Sequence, residues 1–352
     1  MNGEHGGAYG GEHGGEHGVD HGLDYGMVKP RDISAQPIVA GVDGSAAALA
    51  AVRWAAREAA RIGATLRLTH SCDLPPLNPG LRVAPPPEYA SPWAESGRAW
   101  LADAHAAATA EAPGIDVDWD VCFGGAADTL VDESGTASLL VVGARGLGGF
   151  LGQLAGSVAV TAAAHARCPA VVVREDTVAD VGPVVVGADG SPLSEQALEF
   201  GFEAASARGA RLLAVRVWDD PFTSAEWDEL VPGDTETPAP PASAVPTVPM
   251  ARAVTGAAAV PDRRDSVAGR EARALHADLV GWRDKYPDVA VHELAVRGNR
   301  AADGLLGAAA HAQLLVVGSH ARGVVAGALL GSVSRELLRR SACPVAIVRP
   351  RH

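Results

Sequence analysis

The chain has 352 residues, which at roughly 100–200 residues per domain is room for two or three domains. Its formal net charge is −13, which argues against a general nucleic-acid or anionic-membrane surface, since phosphate binding is driven by clustered cations. Of 29 basic residues only Lys29 and Lys285 are lysines. Neither follows a glycine, which excludes the G-x-x-x-x-G-K-[ST] phosphate loop, and neither suits a kinase-type strand lysine.

Residues 1–34 form a low-complexity tract in which Gly-Glu-His-Gly recurs around His5, His13, His17 and His21. It holds too little apolar content to fold alone. A His-rich tract can bind transition metals, but the tract reads first as a solvated tail with incidental histidines, and no metal site is assigned. Its start has no basic segment followed by an apolar one, so no secretory signal is expected. No uncharged apolar run reaches the ~20 residues of a membrane span. The four cysteines, Cys72, Cys122, Cys168 and Cys343, form no C-x-x-C pair and read as reduced thiols of a cytoplasmic protein.

From residue 37 the pattern changes. Pro37-Ile38-Val39-Ala40-Gly41-Val42-Asp43-Gly44-Ser45 predicts a strand stopping at Asp43 and a turn into an Ala-rich helix over 46–61. Thr65–His70 reads as a second strand, followed by a Pro-rich loop from Pro75 to Pro92; Leu139–Gly143 and Ala170–Val173 read as later strands. Alternating strands and helices imply βαβ units around a parallel sheet, and short all-apolar strands suit a sheet covered on both faces.

The pattern then repeats. Val184–Ser191 matches the first strand and turn, Leu212–Val217 the second strand, Leu314–Gly318 the strand Leu139–Gly143, and Gly331-Ser332-Val333 the run Gly156-Ser157-Val158. Cys168-Pro169 and Cys343-Pro344 both precede the last strand of their half, a shared position that suggests packing. The expected organisation is a tail over 1–34 and two repeats over 35–176 and 182–350. Asp43 and Gly143 lie 100 residues apart and Asp189 and Gly318 lie 129 apart, which locates a 29-residue insertion in the Pro-rich stretch 220–268.

Each half carries a glycine-rich loop after its penultimate strand. Gly143, Gly146 and Gly156-Ser157 fit G-x2-G-x9-G-S. Glycines let backbone approach a ligand, successive N–H groups form an anion nest, and a helix starting near Ser157 would offer free N–H groups to phosphate. The Ser157 hydroxyl could cap that helix or meet a phosphate. A plain strand-to-helix loop with a serine cap fits the glycines equally well. In the second half the matching run is Gly318-Ser319-His320-Ala321, with alanine in place of the second glycine.

The whole set, an apolar strand ending Asp-Gly-Ser, then Leu-Val-Val-Gly-x2-Gly-x9-Gly-Ser, then Cys-Pro and a final strand, resembles the universal stress protein family, twice over. The resemblance implies an α/β fold of the adenine nucleotide alpha hydrolase-like kind. Each half would be a doubly wound parallel five-stranded sheet of order 3-2-1-4-5, the two related by a pseudo-two-fold. It implies ATP, with Mg²⁺, in a crevice between strands 1 and 4, where ligands of doubly wound sheets bind. Gly41, Val42 and Asp43, with Gly187, Ala188 and Asp189, would line the adenine. Ser71 and Val217 stand at the strand-2 position that touches the base. Gly143, Gly146, Gly156, Ser157 and Val158 would hold ribose and phosphates, as would Gly318, Ala321, Gly331, Ser332 and Val333. Arg145 and His320 share a loop position and either screen phosphate charge or sit in solvent. AMP or cyclic AMP, and a non-binding interaction protein with a vestigial motif, are the alternatives; at most slow ATP hydrolysis is expected. The last strands, Ala170–Val173 and Val345–Val348, would pair within the chain as an intramolecular dimer, with a homodimer of whole chains also open. A downstream protein partner is implied but not named.

Overall fold

The computed structural model of the chain describes residues 36–73, 87–146, 155–175, 181–219, 267–319 and 330–349, with backbone alone over 87–93. The tail, both glycine-loop tips and 220–266 of the expected insertion lie outside the described residues.

In the first half the order is β1 (Ile38–Gly41), α1 (Ala46–Ile62), β2 (Leu66–Cys72), α2 (Pro87–Glu111), β3 (Val117–Phe123), α3 (Ala126–Glu133), β4 (Leu139–Gly143), α4 (Ser157–His165) and β5 (Ala170–Val173). The second half repeats it as β6 (Val184–Gly187), α5 (Pro192–Arg208), β7 (Leu212–Trp218), α6 (Val267–Lys285), β8 (Val291–Arg297), α7 (Ala301–Ala308), β9 (Leu314–Gly318), α8 (Ser332–Arg340) and β10 (Val345–Val348). None of the described helices is long and apolar enough to cross a membrane.

The strands form one ten-stranded sheet of order β3-β2-β1-β4-β5-β10-β9-β6-β7-β8. Within each half all pairs are parallel and the order is the expected 3-2-1-4-5. The halves join through their last strands, which pair antiparallel with Val345 opposite Val172 and Ile347 opposite Ala170. What would be an open edge in either half is thereby closed, and two expected sheets become one.

The inner strands β1, β4, β5, β9 and β10 are almost wholly apolar because helices cover both their faces. One apolar layer packs α1, α2, α5 and α6 on one face, and a second packs α3, α4, α7 and α8 on the other; both run across the two halves. No residue of the outermost strands β3 and β8 is buried.

Strand β1 ends at Gly41, two residues before the expected Asp43, and two further boundaries differ from expectation by two residues or more. Strand β2 continues past His70 to Cys72, because β3 pairs with it residue for residue up to Phe123, opposite Cys72. The apolar pattern fades at Ser71, but the ladder does not. The other lies in the expected Pro75–Pro92 loop, whose end is helical: α2 begins at Pro87, a first-turn position where proline's missing N–H costs no hydrogen bond.

Candidate functional site

Strands β1 and β4 are neighbours whose connections leave in opposite directions, so a crevice opens beyond their carboxyl ends. Several candidate residues meet there. Gly41 ends β1 against α3: a Cβ on it would stand 3.1 Å from a Leu130 methyl. Val42 is buried, and its carbonyl accepts a hydrogen bond from His70 Nδ1 at 2.7 Å. His70 is therefore a buried, satisfied histidine inside β2. Asp43 accepts the Ser45 N–H at 3.0 Å, which holds the carboxylate over a turn that needs Gly44 at φ 81°.

The glycine loop is tied to that turn. The Ser45 hydroxyl accepts the Ala48 N–H at 3.1 Å, capping α1, and donates to the Arg145 carbonyl at 3.1 Å. Gly146 faces Asp43 so closely that a Cβ would lie 2.5 Å from Oδ2. Gly143 is packed on α1, where a Cβ would fall 2.7 Å from the Ala47 carbonyl carbon. The Gly156 N–H closes the loop on the Ala144 carbonyl at 2.8 Å. Arg145 is half-buried between these contacts.

Helix α4 starts at Ser157, and its N-cap is Gly156, with no side-chain hydrogen bond to the cap. The expectation that the Ser157 hydroxyl caps the helix is corrected: Ser157 is already the first helical residue, and it and Val158 are exposed. No acidic side chain stands in the first turn. Among the described residues no side chain occupies its N–H groups, which with the positive end of the helix dipole can meet an anion.

The second half repeats the arrangement with variations. Gly187 ends β6 against Leu305, and Ala188 is buried. Asp189 accepts the Ser191 N–H at 3.0 Å and its own N–H donates to Ser194 Oγ at 3.2 Å. Gly318 packs on α5, with room for a Cβ only 2.9 Å from the Leu193 carbonyl. Gly331 is the N-cap of α8, again with no side-chain cap bond, followed by Ser332 and a half-buried Val333. His320 and Ala321 lie outside the described residues.

Ser71 and Val217 hold equivalent places on β2 and β7, each on the face toward the following short helix. Ser71 Oγ donates to the Gly124 carbonyl at 2.7 Å and lies 3.1 Å from Thr129 Oγ1 on α3. Val217 instead packs on Gly304 of α7, where a Cβ would stand 2.7 Å from Val217 Cγ2.

The residues behind the turns escaped sequence reasoning. Behind Gly44 lies Trp100 of α2, edge-on to His70 with ring centroids 5.2 Å apart. Behind Gly190 lies Arg216, whose Nε meets Glu271 at 2.6 Å and whose Nη1 meets Asp278 at 3.2 Å. Overlaying the repeats would have flagged Arg216 opposite His70, but the helix partners are set by tertiary packing. The thiols add nothing to the crevice: burial, then Asp120 and Glu133, push Cys122 up to about 11, and burial raises Cys343. Among the described residues no cluster of three or more His, Cys, Asp or Glu is arranged to hold a metal ion.

Comparison with known proteins agrees with this architecture. The universal stress protein family model matches residues 35–174, 181–239 and 241–349. A universal stress protein of Mycolicibacterium smegmatis is 35% identical over 89% of this chain and 97% of its own. One from Mycobacterium tuberculosis is 36% identical over 89% of this chain and 96% of its own. The crystal structure of a universal stress protein from Archaeoglobus fulgidus shares the fold, with a TM-score of 0.61 at 17% identity, over 91% of this chain and 100% of that one. Two matched repeats, the strand order and the strand-1 and strand-4 motifs lead to one conclusion: the chain belongs to the universal stress protein family.

Proposed function

We propose that each half binds an adenine nucleotide at the carboxyl ends of its first and fourth strands, and that the chain is an ATP-dependent stress-response or signalling module of the cytoplasm. The observation that carries the reading is the meeting of the Asp43 turn, side-chain-free Gly146 and the α4 N-terminus, which no side chain caps among the described residues. Backbone N–H groups and a helix end suit phosphate without a lysine, which fits a chain with only two lysines. Mg²⁺ would enter on the triphosphate, since the described crevice offers no carboxylate cluster of its own. The two repeats, over 35–176 and 182–350, would give two sites per chain, and a bound nucleotide would favour one shape toward a protein partner.

The test is a calorimetric titration of the whole chain with ATP and Mg²⁺, together with mass spectrometry of any nucleotide that co-purifies. One or two sites per chain are expected. Gly156→Asp should abolish the first-half site. It keeps the fold, because the nearest atom to a Cβ there is 3.6 Å away and Asp is a good N-cap, yet it places a carboxylate where the phosphate belongs. Zero stoichiometry with folded protein would overturn the reading.

A further inference from the structure

The two crevices are not copies of each other at the wall formed by the second strand and the short helix after the third. In the first half that seam is a pair of hydroxyls, Ser71 and Thr129, 3.1 Å apart. In the second it is Val217 against Gly304, where a Cβ on residue 304 would come within 2.7 Å of Val217 Cγ2. The offset that carries α3 onto α7 carries Thr129 onto Gly304. Both positions have therefore changed together: hydroxyl with hydroxyl, branched apolar side chain with glycine.

Proton counting decides what the hydroxyl pair can offer. Ser71 has one proton, and it is given to the Gly124 carbonyl at 2.7 Å. At the 3.1 Å contact Thr129 must therefore donate to Ser71. Both protons are committed inside the protein, and what the pair turns outward is lone pairs only. Ser71 and Thr129 are half-buried, on the same side of the sheet as Gly41, which packs on Leu130 beside Thr129. The glycine loop and the α4 N-terminus take the phosphate end of the crevice, so this wall is left to the base.

We propose that Ser71 and Thr129 make the first-half crevice selective for a base that presents an exocyclic amine over one that presents a carbonyl there, and that the Val217–Gly304 wall leaves the second-half crevice indifferent. This rests on the nucleotide reading above. A carbonyl at the same place would meet acceptor lone pairs, or would have to break the Thr129–Ser71 bond to gain a donor. An unmatched polar contact of this kind discriminates on the order of tenfold or more.

ATP and ITP form the discriminating pair, because ITP carries a carbonyl where ATP carries the amine. Both are titrated, with Mg²⁺, into the full chain carrying Gly331→Asp, which silences the second-half crevice. The expected result is a preference for ATP of about tenfold. The double variant S71V/T129G, which installs the second-half pair, should bring the two affinities within about twofold, as should the isosteric Thr129→Val if the double variant folds poorly. In the Gly156→Asp chain, V217S/G304T should create the preference that the second half lacks. Folded variants that keep an unchanged ATP-to-ITP ratio overturn the assignment of Ser71 and Thr129 while leaving nucleotide binding intact. A folded parent chain that binds neither nucleotide overturns the nucleotide reading, and this proposal with it.

Discussion

Gly146 is where the first crevice leaves no space for a side chain. A methyl there would sit 2.5 Å from Asp43 Oδ2, so either the carboxylate or the loop must move. Because residue 146 is exposed and packs no core, Gly146→Ala should leave the unfolding free energy, read in urea, within about 0.5 kcal/mol of the parent. It should weaken ATP binding to the first half on the order of tenfold, read by titration in the Gly331→Asp chain. An unchanged affinity would mean that Asp43 and Gly146 do not act together on a ligand. At this scale the sequence was only partly legible. Asp43 and the glycines could be found because a turn and a close approach restrict which residues serve there. Thr129 and Trp100 could not: nothing local marks a helix residue that matters only because β2 or the Gly44 turn packs against it.

At the scale of elements, the strands that build the site were readable from their apolar composition, and the first helix from the Ala-rich run that follows the Asp-Gly-Ser turn. Gly63 and Gly209 end α1 and α5 in the left-handed conformation, at φ 68° and 57°. The end of β2 was not readable, since its last residues are held by pairing with β3 and not by their own apolarity. Ser45 shows how one element's end serves two purposes. Its oxygen caps α1, and its proton holds the Arg145 carbonyl and so the root of the glycine loop. Loss of a serine cap costs about 1 kcal/mol. Ser45→Ala should therefore lower stability by about 1–2 kcal/mol in urea unfolding, and should also weaken nucleotide affinity. Ser191 caps α5 in the same way, through the Ser194 N–H at 3.2 Å, and Ser191→Ala should cost about 1 kcal/mol. An unchanged nucleotide affinity in a folded Ser45→Ala chain would argue against the tether.

The whole molecule is a duplication whose two halves have ceased to be interchangeable, and the seam between them records it. Besides the β5–β10 ladder, the halves are joined by Arg208 of α5, which meets Glu58 of α1 with its two terminal nitrogens at 3.1 and 2.6 Å. The pair is almost fully buried, with side chains 3% and 7% exposed, and the guanidinium lies 5.6 Å from the centre of the Trp54 ring. The pseudo-two-fold places Ala204 and Ile62 at the matching positions, so the ion pair is not repeated on the other side of the seam. An assembly of two identical domains could not do this, because its two-fold would repeat the same contact on both sides. The sequence foretold the strand pairing but not this contact, whose partners lie 150 residues apart in helices that read as ordinary faces of the repeat. Breaking one member of a buried pair leaves a charge without compensation, typically at about 3–5 kcal/mol. Arg61 still stands 3.4 Å from Glu58, so Arg208→Met should fall at the lower end, near 3 kcal/mol. Removing both charges while keeping the stem over Trp54, with Glu58→Ala and Arg208→Met together, should recover most of that loss, because neither charge is then left buried. The four-chain cycle in urea measures the coupling directly. Additive losses would show that Glu58 and Arg208 stabilise the seam independently, as packing and not as a charge pair.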